Sequence, residues 1–497
     1  MEEGVGLATS PAARPSCCGS APSSWGPRGY CRREEKPRRL REGGTKLKRG
    51  LTKGRGARAR KILAGGAATC CLVATSGTAP AGAAGRPSIT TISWWSWTSN
   101  PKEVIANFEK AYPDIKVTLP PDYGSGGTFY TKLTTALSGG SGPCVSQVEY
   151  DHLPQFLGQH DFVPITQYVS SYQKDFPAWV WDQVSQNGKV YAMPEDIGPM
   201  AFMYQPSVLK KYKLPVPATW AQFASDAVAL HKADPSQYLT YFAPNDADVQ
   251  EALWWQAGAF PYRVEPNGTW VVDVDGPKEQ QVMEYWGKLV QEGAVAIDQD
   301  FEADWGHHIS DDRYVAMVGA GWSPTYMVDA YLPSNSTQQW AVTQMPQWTA
   351  GGDASANWGG STNGVTKDCP SSDVKDGALF AAYINTSKSG LAIDEKPATT
   401  TGGGRGLFPA ALDRATLPEF SAPVPHFQGD INAQFSHYAE SVPTQFEWSP
   451  WDSELGTFLT NEMGMAAAGK VAWDKVLVNT ESQLVSYAKS AGYSVEQ

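Results

Sequence analysis

From residue 87 onward, short runs of β-branched and aromatic residues alternate with stretches whose apolar positions recur at helical spacing. "SITTISWWSW" (88–97) reads as a strand. In the stretch that follows, Ser99 or Asn100 can cap a helix, Pro101 suits its first turn, and Val104, Ile105, Phe108 and Tyr112 share one face. "IKVTLP" (115–120) predicts a second strand, "TFYTKLTTALSGG" (128–140) a helix closed by glycine, and "CVSQVEY" (144–150) a third strand. Further on, "KVYAMPEDIG" (189–198) and "YVAMVGAGW" (314–322) read as strands. "TWAQFASDAVALHKA" (219–233) and "KEQQVMEYWGKLVQEG" (278–293) read as helices, with Trp220 and Trp286 on their apolar faces. This alternation predicts an α/β protein with mostly parallel sheets flanked by helices. Such sheets bind ligands at the carboxyl ends of their strands, where Trp94, Trp95, Trp97, Tyr150 and Asp151 stand.

A chain of 497 residues is too long for one small core and predicts more than one domain. Its net charge of −11 divides unevenly. Residues 1–61 carry 16 Lys and Arg against 5 Glu, whereas 62–497 carry 24 basic and 46 acidic residues, net −22. So acidic a body excludes nucleic acid as the partner, because phosphate contacts need clustered cations. The basic stretch 46–61 leads into the uncharged apolar run "ILAGGAATCCLVATSG" and then the small residues "TAPAGAAG". That order is a secretory signal peptide with its cleavage zone and linker, over 46–86. Residues 1–45 form a disordered extension or an over-called start. "LVATSG" is similar to a lipoprotein box but has Thr75 where the lipid-bearing cysteine would stand, so anchoring by lipid is unsupported. Only Cys144 and Cys369 lie in the body. They could pair with each other, but two cysteines make no disulfide framework and the reading favours free thiols.

Metal and nucleotide chemistry find little support. His307 and His308 are adjacent and cannot share the face that a helical metal pair needs, so they read as a solvated loop. "GSGG" (124–127) and "TGGGRG" (401–406) lack phosphate-loop spacing and read as flexible turns, and "GWSPT" lacks a nucleophile elbow. Neither a metal nor a cofactor is expected. The strong signal is aromatic. Eighteen of nineteen tryptophans lie in the body, many beside Gly, Asn or Pro: Trp254 and Trp255, Trp305, Trp322, Trp358, Trp448 and Trp451. An indole face suits the C–H face of a pyranose, while nearby carboxylates accept from its hydroxyls. Asp151, Glu195 and Asp196 could serve in that way. They could equally be the paired carboxyl groups of a secreted glycoside hydrolase, the alternative reading.

Five segments, in order, resemble the extracellular solute-binding proteins of ABC importers, in particular those that bind oligosaccharides such as maltose and trehalose. They are "ITTISWWSW…NPKEVIANFEKAYPDIKV", "YTKLTTALSGGSGPCVSQVEYDHLPQFLGQHDFVPI", "GKVYAMPEDIGPMAFMYQPSVLKKYKLPVPATWAQF", "DDRYVAMVGAGWSP" and "NWGGSTNGVTKDCP". The resemblance implies two α/β lobes of the periplasmic-binding-protein type, hinged by crossover segments. The first lobe would comprise 87–195 and 351–412, the second 196–350 and 413–497. It implies a non-enzymatic, monomeric, secreted receptor that passes an oligosaccharide to the transmembrane subunits of an ABC permease. Matching segments assign ligand contacts to Tyr150 and Asp151 ("EYD"), Glu195 and Asp196 ("PEDIGPM"), and Trp254 or Trp255 ("ALWW"). They add Trp322 ("GAGW"), Trp358 with Gly359 ("NWGG") and Trp448 ("FEWSPW"), with Trp94, Trp95 and Tyr123 as weaker candidates. Cys144 departs from the family's usual Asp after Gly-Pro.

Overall fold

The computed structural model describes residues 89–98, 101–120, 126–394 and 405–497. The predicted extension and signal segment, the cap at Ser99 or Asn100, Tyr123 and most of the "TGGGRG" turn lie outside the described residues. Eight strands build the two principal sheets: β1 (Thr90–Trp95), β2 (Ile115–Thr118), β3 (Val145–Glu149), β4 (Ala192–Pro194), β5 (Met200–Tyr204), β6 (Ala316–Ala320), β7 (Ala341–Thr343) and β8 (Ser361–Val365). The first sheet has the order β2-β1-β3-β8-β4 and the second β6-β5-β7.

Strand direction follows from how the chain enters each sheet. β1, β2 and β3 are parallel, as the strand–helix alternation predicts. β8 pairs antiparallel with both β3 and β4. Its first residue, Ser361, lies opposite Glu149, the last of β3, so β8 enters the sheet at the end where β3 leaves it. In the second sheet β5 runs antiparallel to both neighbours, so these ladders are not the parallel ones expected. The reason is the same: β5 starts beside the crossing from the first sheet, and β6 ends there.

Helix limits agree with the local signals. The helix Pro101–Ala111 buries Val104, Ile105 and Phe108 on one stripe, as the spacing requires. The helix Trp220–Ala233 begins after Thr219, whose hydroxyl accepts from the Gln222 N–H, and buries Trp220, Phe223, Ala227 and Leu230. Trp220 and Trp286 meet edge-on at 5.9 Å in the core of the second sheet's half. Met200 and Phe202 of β5 belong to that core, whereas Ala201 and Met203 on its other face belong to a second. Among the described residues, no helix is long and apolar enough to cross a membrane.

Two expectations need correction. Cys144 and Cys369 form a disulfide. The ladder that sets Val145 opposite Val365, with Thr366 N–H donating to Cys144 O at 3.0 Å, brings the two thiols together across 225 residues of sequence. Nor do His307 and His308 lie on a solvated loop. They belong to the helix Ala303–Ser310, where His308 Nδ1 contacts Asp298 and the Tyr314 hydroxyl.

Candidate functional site

Three extended segments run side by side where the two sheets meet. Trp358 N–H donates to Gly198 O at 2.8 Å and Met200 N–H to Ala356 O at 2.8 Å. Ile197 N–H donates to Phe408 O at 3.0 Å, and Ala410 N–H to Glu195 O at 2.9 Å. This packing leaves no room at Gly198, where a Cβ would stand 1.8 Å from the Trp358 carbonyl oxygen. At Gly360 the backbone takes φ +107° and a Cβ would meet Asp196 O at 2.7 Å, so glycine alone suits the crossing there.

Above these segments opens a cavity of about 500 Å³, walled by residues from both sheets' halves. Trp322 and Trp358 are its aromatic floor, with ring centroids 4.8 Å apart and planes inclined at 54°. Trp322 Nε1–H donates to the Trp358 carbonyl oxygen at 3.3 Å, which holds the indole in place. Phe301 and Tyr326 complete that side, and Trp97, Thr98 and Gln147 line the other.

Beneath the cavity lies a buried polar network. Arg405 Nη1 donates to Asp394 Oδ1 at 2.8 Å, its Nη2 donates to Thr98 Oγ1 at 2.7 Å and also contacts Glu195. The side chains of Arg405 and both acids are fully buried. Gln147 uses its whole amide: Nε2 donates to Glu195 at 2.6 Å and Ser361 Oγ at 3.1 Å, and Oε1 accepts from Ser96 Oγ at 2.7 Å and Trp97 N–H at 3.2 Å. This ties the exit of β1 to the crossing. Ser361 Oγ lies 2.8 Å from Glu195 and 2.6 Å from Asp196, and its N–H donates to Asp196 at 2.8 Å.

One guanidinium thus pairs with two carboxyl groups, with Asp196 a third close by, and the proton affinities of Asp196 and Asp394 reflect it. Burial, reinforced by Glu195, pushes Asp196 up to about 7. Burial likewise raises Asp394 to about 8 against the opposing pull of Arg405. A proton on Asp196 lets that carboxyl donate to Ser361 Oγ and leaves the Ser361 hydroxyl to donate its hydrogen bond to Glu195. Because the folded-state value lies above the ordinary 3.8, the folded form holds this proton more tightly than the unfolded chain does. Its stabilising effect is full below the unfolded value and is lost as pH rises through about 7. Urea unfolding at pH 5.5, 7.0 and 8.5 should therefore show wild-type stability falling, relative to Asp196→Asn, by about 1–3 kcal/mol. Parallel pH profiles for the two proteins would remove Asp196 as the cause.

A second cavity of about 830 Å³ adjoins the first, and both are lined by Glu149, Asp246, Asp248 and Phe301. Its wall is acidic, with Asp151 and Asp452 added, and His152 is the sole cationic side chain among its lining residues. Burial and the neighbouring Asp151 and Glu149 raise Asp248 to about 8. At His152 burial works downward, but Asp151 and Glu149 outweigh it and hold the imidazole at about 9.

The structure brings together Asp196, Trp322, Trp358 and Gly359 on the first cavity, and puts Asp151 on the second. Glu195 supports the floor from below. The remaining described candidates are corrections. Trp94 and Trp95 are successive residues of β1 and point to opposite faces of the sheet, each covered by a helix. Trp94 is fully buried against Phe380, with Nε1–H donating to Asn363 at 2.9 Å, and Trp95 lies edge-on to Phe129. Trp97, beyond the strand end, is the indole that reaches the cavity. Trp254 is fully buried in the second half's core. Trp255 stacks on Phe446 at 4.0 Å, and Trp448 closes edge-on against it while donating to Gln183 at 2.7 Å. Tyr150 is buried beneath Gly360, and its hydroxyl has no hydrogen-bond partner among the described residues. Sequence reasoning missed Phe301, Tyr326, Asp246, Asp248, Gln147 and Arg405. For Arg405 a signal existed, since a lone cation amid glycines next to an acidic body invites a partner.

Two α/β halves meeting at three side-by-side extended segments, with an aromatic-floored cavity between them, define a two-lobed ligand-binding protein. Residues 94–389 match the model of the bacterial extracellular solute-binding proteins, and the chain belongs to that family. It is 23% identical over 324 residues to an arabinooligosaccharide-binding protein of Bacillus subtilis (strain 168), covering 62% of this chain and 71% of that one. Its fold is similar to that of an ABC-transporter-associated binding protein from B. animalis subsp. lactis Bl-04, solved with β-1,6-galactobiose (24% identity, TM-score 0.71, 82% of this chain and 100% of that one). It is also similar to the galacto-N-biose-/lacto-N-biose I-binding protein of Bifidobacterium longum, solved with lacto-N-biose (21% identity, TM-score 0.72, 82% of this chain and 99% of that one).

Proposed function

We propose that this protein is the extracellular receptor of an ABC importer and binds an oligosaccharide in the cleft between its lobes. The observation that carries the reading is the half-buried Trp322, held 4.8 Å from the buried Trp358 and lining one cavity together with Trp97, Gln147, Glu149 and Asp248. Such a site offers stacking faces for sugar rings and acceptors for their hydroxyls. Closure of the lobes would follow from contacts the ligand gains in the closed state and lacks in the open one. Asp196, Trp322, Trp358, Gly359 and Asp151 are the proposed ligand contacts, and Glu195 is a positioning residue. The lobe limits 87–195 with 351–412, and 196–350 with 413–497, belong to the same proposal, as do a monomeric state, export and delivery to the permease's transmembrane subunits. No bond is made or broken.

The test is titration of the purified protein with arabino-, galacto- and gluco-oligosaccharides, followed by calorimetry and tryptophan fluorescence. Heat and a fluorescence change with at least one series are expected, without reducing ends accumulating on long incubation. No heat across the panel overturns the sugar reading, and steady release of reducing ends would favour a glycoside hydrolase instead.

A further inference from the structure

Phe301 stands out on two counts. It is 45% exposed, a large aromatic ring left open to solvent, and its backbone takes φ +65°. The left-handed region is rare for a bulky residue and costs about 1–3 kcal/mol, so it persists only where the surroundings impose it. They do so here. Asn245 clamps the preceding residue with its whole side-chain amide: Oδ1 accepts from Asp300 N–H at 2.9 Å, and Nδ2 donates to Asp300 O at 3.3 Å. On the other side Glu302 caps the helix Ala303–Ser310, with Gly306 N–H donating to its carbonyl at 3.2 Å.

What this strain achieves is a position. The Phe301 ring lies 6.2 Å from Trp322, 6.0 Å from Trp358 and 5.6 Å from Tyr326, at the rim of the aromatic floor. Phe301 also lines both cavities, so it stands where the aromatic chamber passes into the acidic one. Taken alone, the first chamber lies within the range of about 300–1,000 Å³ typical of small-ligand sites, while the two together exceed it. A ligand confined to the first chamber would end near this ring, and a longer one must cross it.

We propose that Phe301 is a specificity-determining residue of the cleft, a threshold that rewards ligands long enough to enter the acidic chamber. The inference rests on the sugar-receptor reading and adds a substrate class: oligosaccharides of three or more rings. The first rings lie against Trp322, the next lies along Phe301 beside Asp248 and Glu149, which line both chambers, and the hydroxyls beyond it donate to Asp151. Among the described residues, Phe301 is the aromatic that lines both chambers, and Tyr130 in the second chamber already stacks on His152 at 3.8 Å.

Calorimetric titration of the full chain with the di-, tri- and tetrasaccharide of whichever series it binds tests this. For the wild type, affinity should rise by about tenfold or more from two rings to three. In Phe301→Ala the ratio of trisaccharide to disaccharide affinity should fall by about tenfold, and Phe301→Gly should show the same loss. Thermal unfolding separates binding from folding: Phe301→Gly should melt no lower than Phe301→Ala, because glycine relaxes the left-handed backbone. A wild type with no preference for length, or variants that keep the wild-type ratio, would overturn the threshold while leaving the sugar reading intact. A wild type that gives no heat with any sugar would overturn both.

Discussion

Trp322→Ala is expected to weaken oligosaccharide binding by about tenfold to a hundredfold, the ratio equivalent to about 1.4–2.8 kcal/mol. The indole is half-buried, so substitution removes both a stacking face and the apolar area a sugar would cover, each worth about a kcal/mol. It is also held in place before any ligand arrives, by its Nε1–H on the Trp358 carbonyl and by the absence of a side chain at Gly198. A preplaced ring loses little freedom on binding, so its contact converts efficiently to affinity. Trp322→Phe, which keeps a flat apolar face, should lose less than Trp322→Ala. Calorimetry with the tightest sugar measures the loss, and a matched thermal melt verifies that the fold survives. Unchanged affinity in a folded Trp322→Ala protein would take the ring out of the site.

Arg405→Ala should lower folding stability by about 3–5 kcal/mol, the cost of stranding buried charge without its partner. The guanidinium contacts Glu195 and Asp394, both fully buried, and its plane also approaches the Trp94 ring at 5.6 Å. Once it is removed, two carboxyl groups face each other in a region with no other cation in the network described. They must take up protons or admit water, and either course loosens the joint between β1 and the crossing segments. The loss should be smaller at pH 5.5 than at pH 8.5, because protons replace the missing cation at the lower pH. A charge-balanced variant, Arg405→Met with Glu195→Gln and Asp394→Asn, should recover much of the stability, which a packing defect alone would not. Urea unfolding of the three proteins at both pH values decides it. A loss below about 1 kcal/mol, or one that is the same at both pH values, would show that the network does not hold the joint.

How far the chain could be read before folding differs between its elements. The helix Trp220–Ala233 was legible to its cap, because Thr219 and the apolar stripe after it act over a few residues. The strands β1, β2 and β3 were legible for the same reason. Strand direction in the second sheet was not, since it depends on which end of the sheet a distant segment reaches. The disulfide was hidden likewise, because the β3–β8 register that joins Cys144 to Cys369 forms only after the chain returns from the other half.

Tryptophan shows the boundary most clearly. Local sequence established that indoles were abundant, placed near strand ends and loops, and set in an acidic body suited to neutral, hydroxylated ligands. It established the family pattern and with it the two-lobed class. Tertiary structure alone decided which rings face the cleft, since burial depends on what covers each face of a sheet. Trp94, Trp95, Trp254 and Trp255 went to the cores, whereas Trp97 and Trp322 were left at the gap. It also decided that Arg405 would neutralise buried acids and that Phe301 would stand between two chambers. Both outcomes arise from charges and rings meeting across large sequence distances, which no local pattern encodes.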